Sequence, residues 1–423
     1  MTFDAVVDNH DTVQAFRLEA GRHSVELCNV GASVTALTFD GSDVVLGYAS
    51  NQALHESGNP MYLGAVVGRV ANRIANGRFQ IHQGGATSLL DYQLELNDGF
   101  HHLHGGTYGF HSQIWTAKRL SNSNIQFTYL SPDGDQGYPG SVLVSALYSL
   151  NSASNDSLVL TLTLSAQLLP GGDGTMKATP INLAQHSYFN LSGHDSQEGI
   201  LNHVLWMPQA IAFLPVDDHC IPTKRVIPLQ YQEAHVLDFR RGQTLFHALT
   251  LIAQDKFKDH DAAVTVNLLR EVSEYCKPFG IDVSFVLDPN STVNHSSCNG
   301  VSQQQLPSSM QPDLHIAAVL EHPASRRRLT VYTNAPAVQV YTGHYLNRKA
   351  HDSIENGFRK GMNPTHEMYP PFSGICLETQ HFPDSIDPTI ESRSMRGQCP
   401  ILVPGLFEHY TQKIEYHFDL TTL

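Results

Sequence analysis

Apolar and polar residues alternate with a period of two in several separate stretches of the sequence. Between residues 158 and 164 every second position is leucine, and similar alternation occurs at 125–129, 329–333 and 414–418. Successive side chains of a β-strand point to opposite faces, so this pattern predicts strands with one buried face. The 31 glycines and 22 prolines add frequent turn signals between them. The sequence therefore predicts an all-β fold, a large antiparallel sandwich or barrel with few short helices.

Few stretches have the spacing of a helix, and the clearest is 244–257. Three segments resemble insertions of mixed or polar composition, near 256–277, 288–313 and 348–370. We find no long linker and no internal repeat that would divide the chain. We therefore expect residues 1–423 to form a single domain with three inserted loops.

The formal net charge of −14 disfavours nucleic acids and anionic membranes as partners, because both would require a basic surface. No segment approaches the ~20 apolar residues of a membrane span. The N-terminal stretch is acidic and lacks a long apolar run, so we expect no signal peptide and a cytoplasmic protein. The six cysteines are scattered without a CxxC motif, which indicates neither a zinc site nor a disulfide framework.

Glu378 lies in an apolar run beside Cys376 and Leu377. Burial of a carboxylate is costly unless it is paired or its pKa rises. A partly desolvated carboxylate is also an effective general base. We therefore predict that Glu378 accepts a proton from a small polar substrate.

His186 lies among apolar and aromatic neighbours, with Asn182 and Asn190 close in sequence. A buried histidine whose tautomer is fixed by an amide or hydroxyl is suited to proton transfer. A structural histidine satisfied within the core is the alternative interpretation of this segment taken alone.

Three histidines, His101, His102 and His104, precede a pair of glycines. Two imidazoles at positions i and i+2 of a strand share a face, a spacing that suits a metal ion. No glutamate follows His104 within a few residues, so we expect no metal here. A histidine that binds a substrate hydroxyl and a structural histidine are the remaining alternatives.

Further polar residues stand in turn-rich or strand contexts. Asn72 and Arg73 lie between glycines; on a strand only one of the two could face a pocket, whereas in an irregular turn both could. Asp282 begins an apolar stretch, where it could cap, pair or accept hydrogen bonds from a diol. The basic run 326–328 suits either a phosphate or a protected strand edge.

Taken together, seven segments resemble the aldose 1-epimerase, or galactose mutarotase, family. They occur in the family's order and cover most of the chain. The segments are GRVANRIANGRF (68–79), HLHGG (102–106), GFHSQIW (109–115), SPDGDQGYPG (131–140), NLAQHSYFNLSG (182–193), VQVYTG (338–343) and CLETQHFPD (376–384).

The resemblance implies a twisted antiparallel β-sandwich of the galactose mutarotase type, with a groove for a monosaccharide. It implies interconversion of the α and β anomers of free hexoses by a monomer or homodimer without a cofactor. By position, Glu378 would be the general base and His186 the general acid. The residues that would hold the sugar are Asn72, Arg73, His104, Asp282 and, less directly, Gln339.

The sequence departs from the family pattern near one of these residues. Relatives commonly have Asp-His-Asn where this chain has Asp-Val-Ser at 282–284, and Asp261, in an Asp-His-Asp run, is a rival for the role of Asp282.

Two other functions remain open at this point: a hexose-phosphate epimerase, which the arginine run would suit, and a non-catalytic sugar-binding module. The central expectation is that Glu378 and His186 share one cavity.

Overall fold

A computed structural model describes residues 12–83, 89–256, 280–288, 314–346, 360, 369–386 and 398–422. The three predicted insertions fall almost entirely outside these ranges, and so does Asp261. The single-domain organisation stays a prediction.

The described residues form 27 strands and two α-helices. The strands are β1 (Ala15–Ala20), β2 (His23–Cys28), β3 (Ser33–Phe39), β4 (Ser42–Asp43), β5 (Val66–Val67), β6 (Arg73–Ile74), β7 (Arg78–His82), β8 (Leu89–Gln93), β9 (His102–Leu103), β10 (Thr116–Arg119), β11 (Asn124–Ser131), β12 (Ser141–Ser154), β13 (Ser157–Leu169), β14 (Thr179–Pro180), β15 (Ala184–Gln185), β16 (Tyr188–Phe189), β17 (Val204–Trp206), β18 (Ala210–Leu214), β19 (Ile227–Pro228), β20 (Gln243–Thr244), β21 (Asp282–Leu287), β22 (His315–His322), β23 (Arg327–Thr333), β24 (Ala337–Tyr341), β25 (Ile375–Gln380), β26 (Ile401–Leu402) and β27 (His409–Leu420).

The helices are short. The α-helices are α1 (Asn51–Ser57) and α2 (Leu245–Lys256), and 3₁₀ turns span Ala75–Gly77, Phe110–Ser112, Asp135–Gly137, Gln232–Leu237 and Phe239–Arg241. The side chain of Ser50 accepts a hydrogen bond from Ala53 at the start of α1, and Gly58 ends this helix in the left-handed conformation. The predicted helix at 244–257 is confirmed as α2. Within the part of the chain described, no helix has both the length and the apolar character needed to cross a membrane.

Two large sheets dominate the fold, and the strand pairs within them are antiparallel. A nine-stranded sheet has the order β10-β11-β12-β13-β27-β23-β22-β17-β20, and a six-stranded sheet has the order β16-β25-β24-β21-β18-β19. A four-stranded sheet, β1-β2-β3-β4, and four two-stranded pairs (β14-β26, β15-β5, β6-β9 and β7-β8) complete the architecture. The predicted all-β antiparallel sandwich is confirmed.

The main core lies between the two large sheets. The leucines at 158, 160, 162 and 164 of β13 are all buried and the residues between them are half-buried, as the sequence pattern predicted. They share one apolar cluster with Ile414 of β27 and with Ile375 and Leu377 of β25. The Gln412 side chain of β27 also donates a hydrogen bond to the Thr379 carbonyl, at 2.7 Å. One face of β25 is therefore fixed against the nine-stranded sheet.

Candidate active site

The other face of β25 carries the polar residues. Because side chains alternate along a strand, Cys376, Glu378 and Gln380 point away from the core that Ile375 and Leu377 enter. Glu378 is nonetheless only 2% exposed. The apolar run around Glu378 thus has a physical meaning: its alternate residues bind β25 to the core and hold the carboxylate in a rigid position.

The register of the six-stranded sheet brings three predicted residues together. Gln339 lies directly opposite Glu378, and Ser284 lies opposite Gln339 on the next strand. Asp282, two residues before Ser284, faces the same side, and Gln339 Nε2 donates to Asp282 Oδ1 at 2.6 Å. Asp282 therefore lies in the same polar cluster as Glu378, and its predicted role at the sugar stays a prediction.

His186 reaches this cluster from the short segment between β15 and β16. Its backbone N–H donates to the Ala65 carbonyl at 2.8 Å, which fixes the segment against β5. The ring is buried, and Nε2 lies 3.5 Å from Glu378 Oε1. The two predicted catalytic side chains, 192 residues apart in sequence, therefore meet in one place. The side chains of Asn182 and Asn190 instead hydrogen-bond the backbones of His381 and Ser373.

Arg73 supplies a positive charge to the same cluster. Its Nε donates to Asp98 Oδ2 at 2.7 Å, and Nη1 lies 3.8 Å from Asp282 Oδ2. Asn72 precedes it in a left-handed conformation with φ of 65°, so the segment is an irregular turn that leads into β6. Asn72 Oδ1 accepts a hydrogen bond from the Arg73 backbone at 2.8 Å. Its predicted contact with a substrate stays a prediction, whereas its role in the turn is evident.

His104 is held beside His186, with the ring centroids 5.2 Å apart. Its Nδ1 is 3.2 Å from the Asn72 backbone nitrogen, which donates to it. A nitrogen that accepts from an N–H carries no proton, so neutral His104 bears its proton on Nε2. His104 is therefore a fixed hydrogen-bond donor. His102 lies apart from it: its Nδ1 is 2.7 Å from the Glu95 carbonyl, so the two histidines do not form a pair.

Two aromatic residues of the cluster were missed by the sequence analysis. The ring of Tyr62 lies 4.5 Å from His104, 4.6 Å from His111 and 5.6 Å from His186. His111 is the histidine of the GFHSQIW segment, so the sequence offered a signal that could have identified it as a site residue. Tyr62 is an isolated aromatic residue in an apolar stretch, and no local pattern distinguishes it.

Burial dominates the electrostatics of Glu378. Desolvation raises the pKa of this carboxyl well above its usual value, and the negative charge of Asp282 raises it further. Arg73 acts in the opposite direction. For Arg73 itself, burial lowers the pKa, but Asp282 and Asp98 together outweigh that effect and raise it.

Burial lowers the pKa of His186 to about 4, opposed by its own backbone carbonyl and by Asp282. Burial also lowers the pKa of His104 well below its usual range, assisted by the neighbouring charge of His186. Both imidazoles are therefore neutral at neutral pH. An environment that pushes the pKa values of two neighbouring groups apart is typical of an acid and base pair.

Several buried polar atoms of the cluster have no partner among the described residues. They are Glu378 Oε2, Gln339 Oε1 and Ser284 Oγ. Buried polar groups are normally hydrogen-bonded, so unpaired polar atoms in a buried cluster indicate a polar ligand. Acceptors and donors side by side suit a molecule with several hydroxyl groups.

His104, His186 and Glu378 place one donor atom each within 4.8 Å of one another. Two imidazoles and a carboxylate could also hold a divalent cation. The predicted absence of a metal therefore stays a prediction, and chelation tests it directly.

The sequence profile of the aldose 1-epimerase family matches residues 14–390. The chain belongs to this family. A galactose mutarotase from Homo sapiens is 33% identical over 381 residues, which cover 89% of this chain and 87% of that protein. An aldose 1-epimerase from Haemophilus influenzae is 32% identical over 344 residues, covering 81% of this chain and 77% of the relative.

Solved structures support the fold of this family member. An aldose epimerase homologue from C. elegans superimposes with a TM-score of 0.67 at 21% identity, covering 97% of this chain and all of that one. A galactose 1-epimerase from Lactobacillus acidophilus gives a TM-score of 0.64 at 23% identity, with 97% and 99% covered.

Proposed function

We propose that this protein interconverts the α and β anomers of free hexoses such as galactose and glucose, with Glu378 as general base and His186 as general acid. One observation carries the assignment: His186 Nε2 and Glu378 Oε1 approach to 3.5 Å in a buried cluster. The anomeric hydroxyl and the ring oxygen share one carbon, so the groups that exchange protons with them must lie close together. The family relationship supports the reaction class.

The reaction requires two proton transfers in each direction. Glu378 takes the proton of the anomeric hydroxyl while His186 Nε2 gives a proton to the ring oxygen, and the bond between that oxygen and the anomeric carbon breaks. The resulting aldehyde turns about its bond to the neighbouring carbon. When the ring closes on the other face, Glu378 returns its proton and His186 recovers one, so both groups end as they began.

The pKa directions at the two groups fit this cycle. The reactive form has an ionised Glu378 and a protonated His186, and ring opening converts it into a neutral carboxyl and a neutral imidazole. Burial favours that neutral form, since it raises the pKa of Glu378 and lowers that of His186. Once the reactive form is present, desolvation by the protein therefore favours the proton transfers of ring opening.

The remaining residues would hold the sugar during this exchange. His104, with its proton on Nε2, would donate to one hydroxyl, and Arg73 would donate to another. Gln339 has an unpartnered Oε1, while its Nε2 fixes Asp282 as an acceptor. We propose that neither a cofactor nor a metal takes part; the cytoplasmic location and the monomeric or homodimeric state stay predictions.

The arginine run that favoured a hexose phosphate is engaged elsewhere. Arg327 Nη1 donates to the Leu191 carbonyl at 2.9 Å, and Arg328 Nε donates to Glu321 at 2.6 Å. Arg326 occupies a turn with φ of 61°. These contacts hold the N-terminal end of β23, so they give no support to a phosphate site. Because β23 pairs with both β22 and β27, the alternative of a protected strand edge is wrong.

The proposal is tested with Glu378→Gln, which preserves shape but removes the base. We expect the catalysed rate of anomer exchange, followed by polarimetry with galactose and glucose, to fall by at least ~10²-fold. Glu26→Gln, at an exposed site on β2, is the matched control and should keep the wild-type rate. His186→Ala should lower kcat more than it raises KM.

A near wild-type rate in Glu378→Gln would place the base elsewhere. Sugar binding by the wild-type protein without any catalysed exchange would favour the binding-module alternative. Faster turnover of glucose 6-phosphate than of glucose in the same assay would favour the phosphate epimerase.

A further inference from the structure

We propose that Cys376 is a positioning residue that holds the fixed proton of His186 on Nδ1, so that Nε2 is the atom that exchanges a proton with the substrate. The inference rests on the proposed function of His186. Cys376 Sγ lies 3.5 Å from His186 Nδ1, and both side chains are buried. Cys376 is also two residues before Glu378, on the same face of β25.

Tyr188 leaves the sulfur free to accept this hydrogen bond. It lies directly opposite Cys376 across the β16–β25 pair. The Tyr188 hydroxyl donates its only proton to the Met61 carbonyl, at 3.1 Å, and therefore not to the sulfur. The lone pairs of the sulfur are thus available to His186 Nδ1–H.

A second acceptor favours the same tautomer. The backbone carbonyl of His186 also interacts with the ring, although it already accepts from the Gly64 N–H at 3.0 Å. Loss of the sulfur should therefore weaken the preference for Nδ1–H without abolishing it. This predicts a moderate kinetic effect.

The contrast with His104 explains why only one of the two histidines transfers protons. His104 Nδ1 accepts a backbone N–H, so its proton stays on Nε2. In His186 the bond to Cys376 reverses this arrangement, so Nε2 can either bear a proton or accept one. The two neighbouring rings thus have opposite tautomers, one suited to binding and the other to acid and base chemistry.

Cys376 acts in this role as a neutral thiol. Burial raises the pKa of the thiol well above its usual value, and the nearby Glu378 raises it further. The residue is therefore a hydrogen-bonding group and not a nucleophile.

The test combines kinetics with ring-nitrogen NMR of histidine-labelled protein, in which His186 is assigned by comparison with His186→Gln. In the wild type we expect a proton on Nδ1. In Cys376→Ala we expect a shift towards the other tautomer and a kcat lower by about 3–10-fold, with KM changed by less than ~2-fold. Cys376→Ser, whose hydroxyl can also accept, should recover kcat to within about 3-fold of wild type. Cys399→Ala, at a buried cysteine that donates to the Ile181 carbonyl, is the matched control and should change neither property.

A proton on Nε2 of His186 in the unliganded wild type would overturn the inference. Wild-type kcat and an unchanged tautomer in Cys376→Ala would also overturn it, even if anomer exchange is confirmed. If the wild type showed no anomer exchange but the tautomer still depended on Cys376, the positional claim would hold and the proposed function would fail. The two failures are therefore distinguishable.

Discussion

At Glu378, burial and a like charge act together on one carboxyl. Desolvation raises its pKa, the negative charge of Asp282 raises it further, and Arg73 limits the rise. The reactive form pairs an ionised Glu378 with a protonated His186, so the two groups must share one proton. That proton is lost as pH rises through the raised pKa of Glu378, and a second proton binds below the His186 pKa of about 4. The profile of kcat should therefore fall on the basic side at the pKa of Glu378 and on the acid side near pH 4.

Replacement of Asp282 by Asn should move this basic limb to lower pH. The substitution removes the negative charge that raises the pKa of Glu378 and leaves Arg73 to stabilise its carboxylate. The midpoint of kcat against pH, measured with saturating galactose, gives the shift. Asp91→Asn, on β8, provides a control at an exposed carboxyl. A shift to higher pH would mean that Asp282 does not act on Glu378 through its charge.

Glu378 should also reduce stability at neutral pH. Its folded-state pKa is raised, so the stability of the folded protein is greatest below the unfolded-state pKa and falls as pH rises through the folded-state value. Glu378→Gln removes the buried charge and should therefore raise Tm at pH 7. The difference from wild type should shrink as the pH is lowered towards 4. Calorimetry at pH 7 and pH 4 measures this difference in Tm, with Glu26→Gln as the control. A lower Tm for Glu378→Gln than for wild type at pH 7 would contradict the argument.

At the scale of single elements, the turn that carries Asn72 and Arg73 depends on a buried arginine. Arg69 is 1% exposed, and its Nη1 donates to the carbonyls of Pro139 and Gly140 at 2.8 and 2.7 Å. This explains the SPDGDQGYPG segment, whose backbone closes around the guanidinium. The loop supports the site although it lies outside the acid and base cluster.

Arg69→Met should lower the free energy of unfolding by about 3–5 kcal/mol, because buried carbonyls would lose their charged donor. Arg69→Lys should lower the free energy of unfolding by less, because an ammonium group keeps the positive charge although it loses the planar set of guanidinium donors. Urea denaturation measures both, with Arg119→Met on the exposed end of β10 as the control. Equal stability of Arg69→Met and wild type would show that the loop closes without this side chain.

The elements themselves were largely predictable, whereas their convergence was not. Alternation at 158–164 predicted β13 because every second side chain is buried there. The pairing of Glu378 with Gln339 depends on the register of two strands far apart in sequence, which no local pattern encodes. The same is true of Cys376 and His186, whose contact appears only once β16 and β25 are paired. Family resemblance, and not periodicity, assigned most of the predicted site.

At the scale of the whole molecule, charge favours a neutral substrate. The chain has 40 acidic and 26 basic residues, and the site itself places Glu378, Asp282 and Asp98 around Arg73. An anionic sugar would meet this negative potential both on approach and when bound. A free hexose would not experience either effect.

We therefore expect kcat/KM for glucose to exceed that for glucose 6-phosphate by at least ~10-fold at low ionic strength. Added salt screens charge repulsion. The kcat/KM for glucose 6-phosphate should therefore rise between about 10 and 150 mM salt, while kcat/KM for glucose stays constant. NMR measurements of anomer exchange give kcat/KM for both substrates in one buffer. Asp98→Asn should reduce the difference in kcat/KM between glucose and glucose 6-phosphate, because it removes one carboxylate from Arg73. Equal rates, or a phosphate rate that falls with salt, would instead indicate a basic phosphate-binding patch.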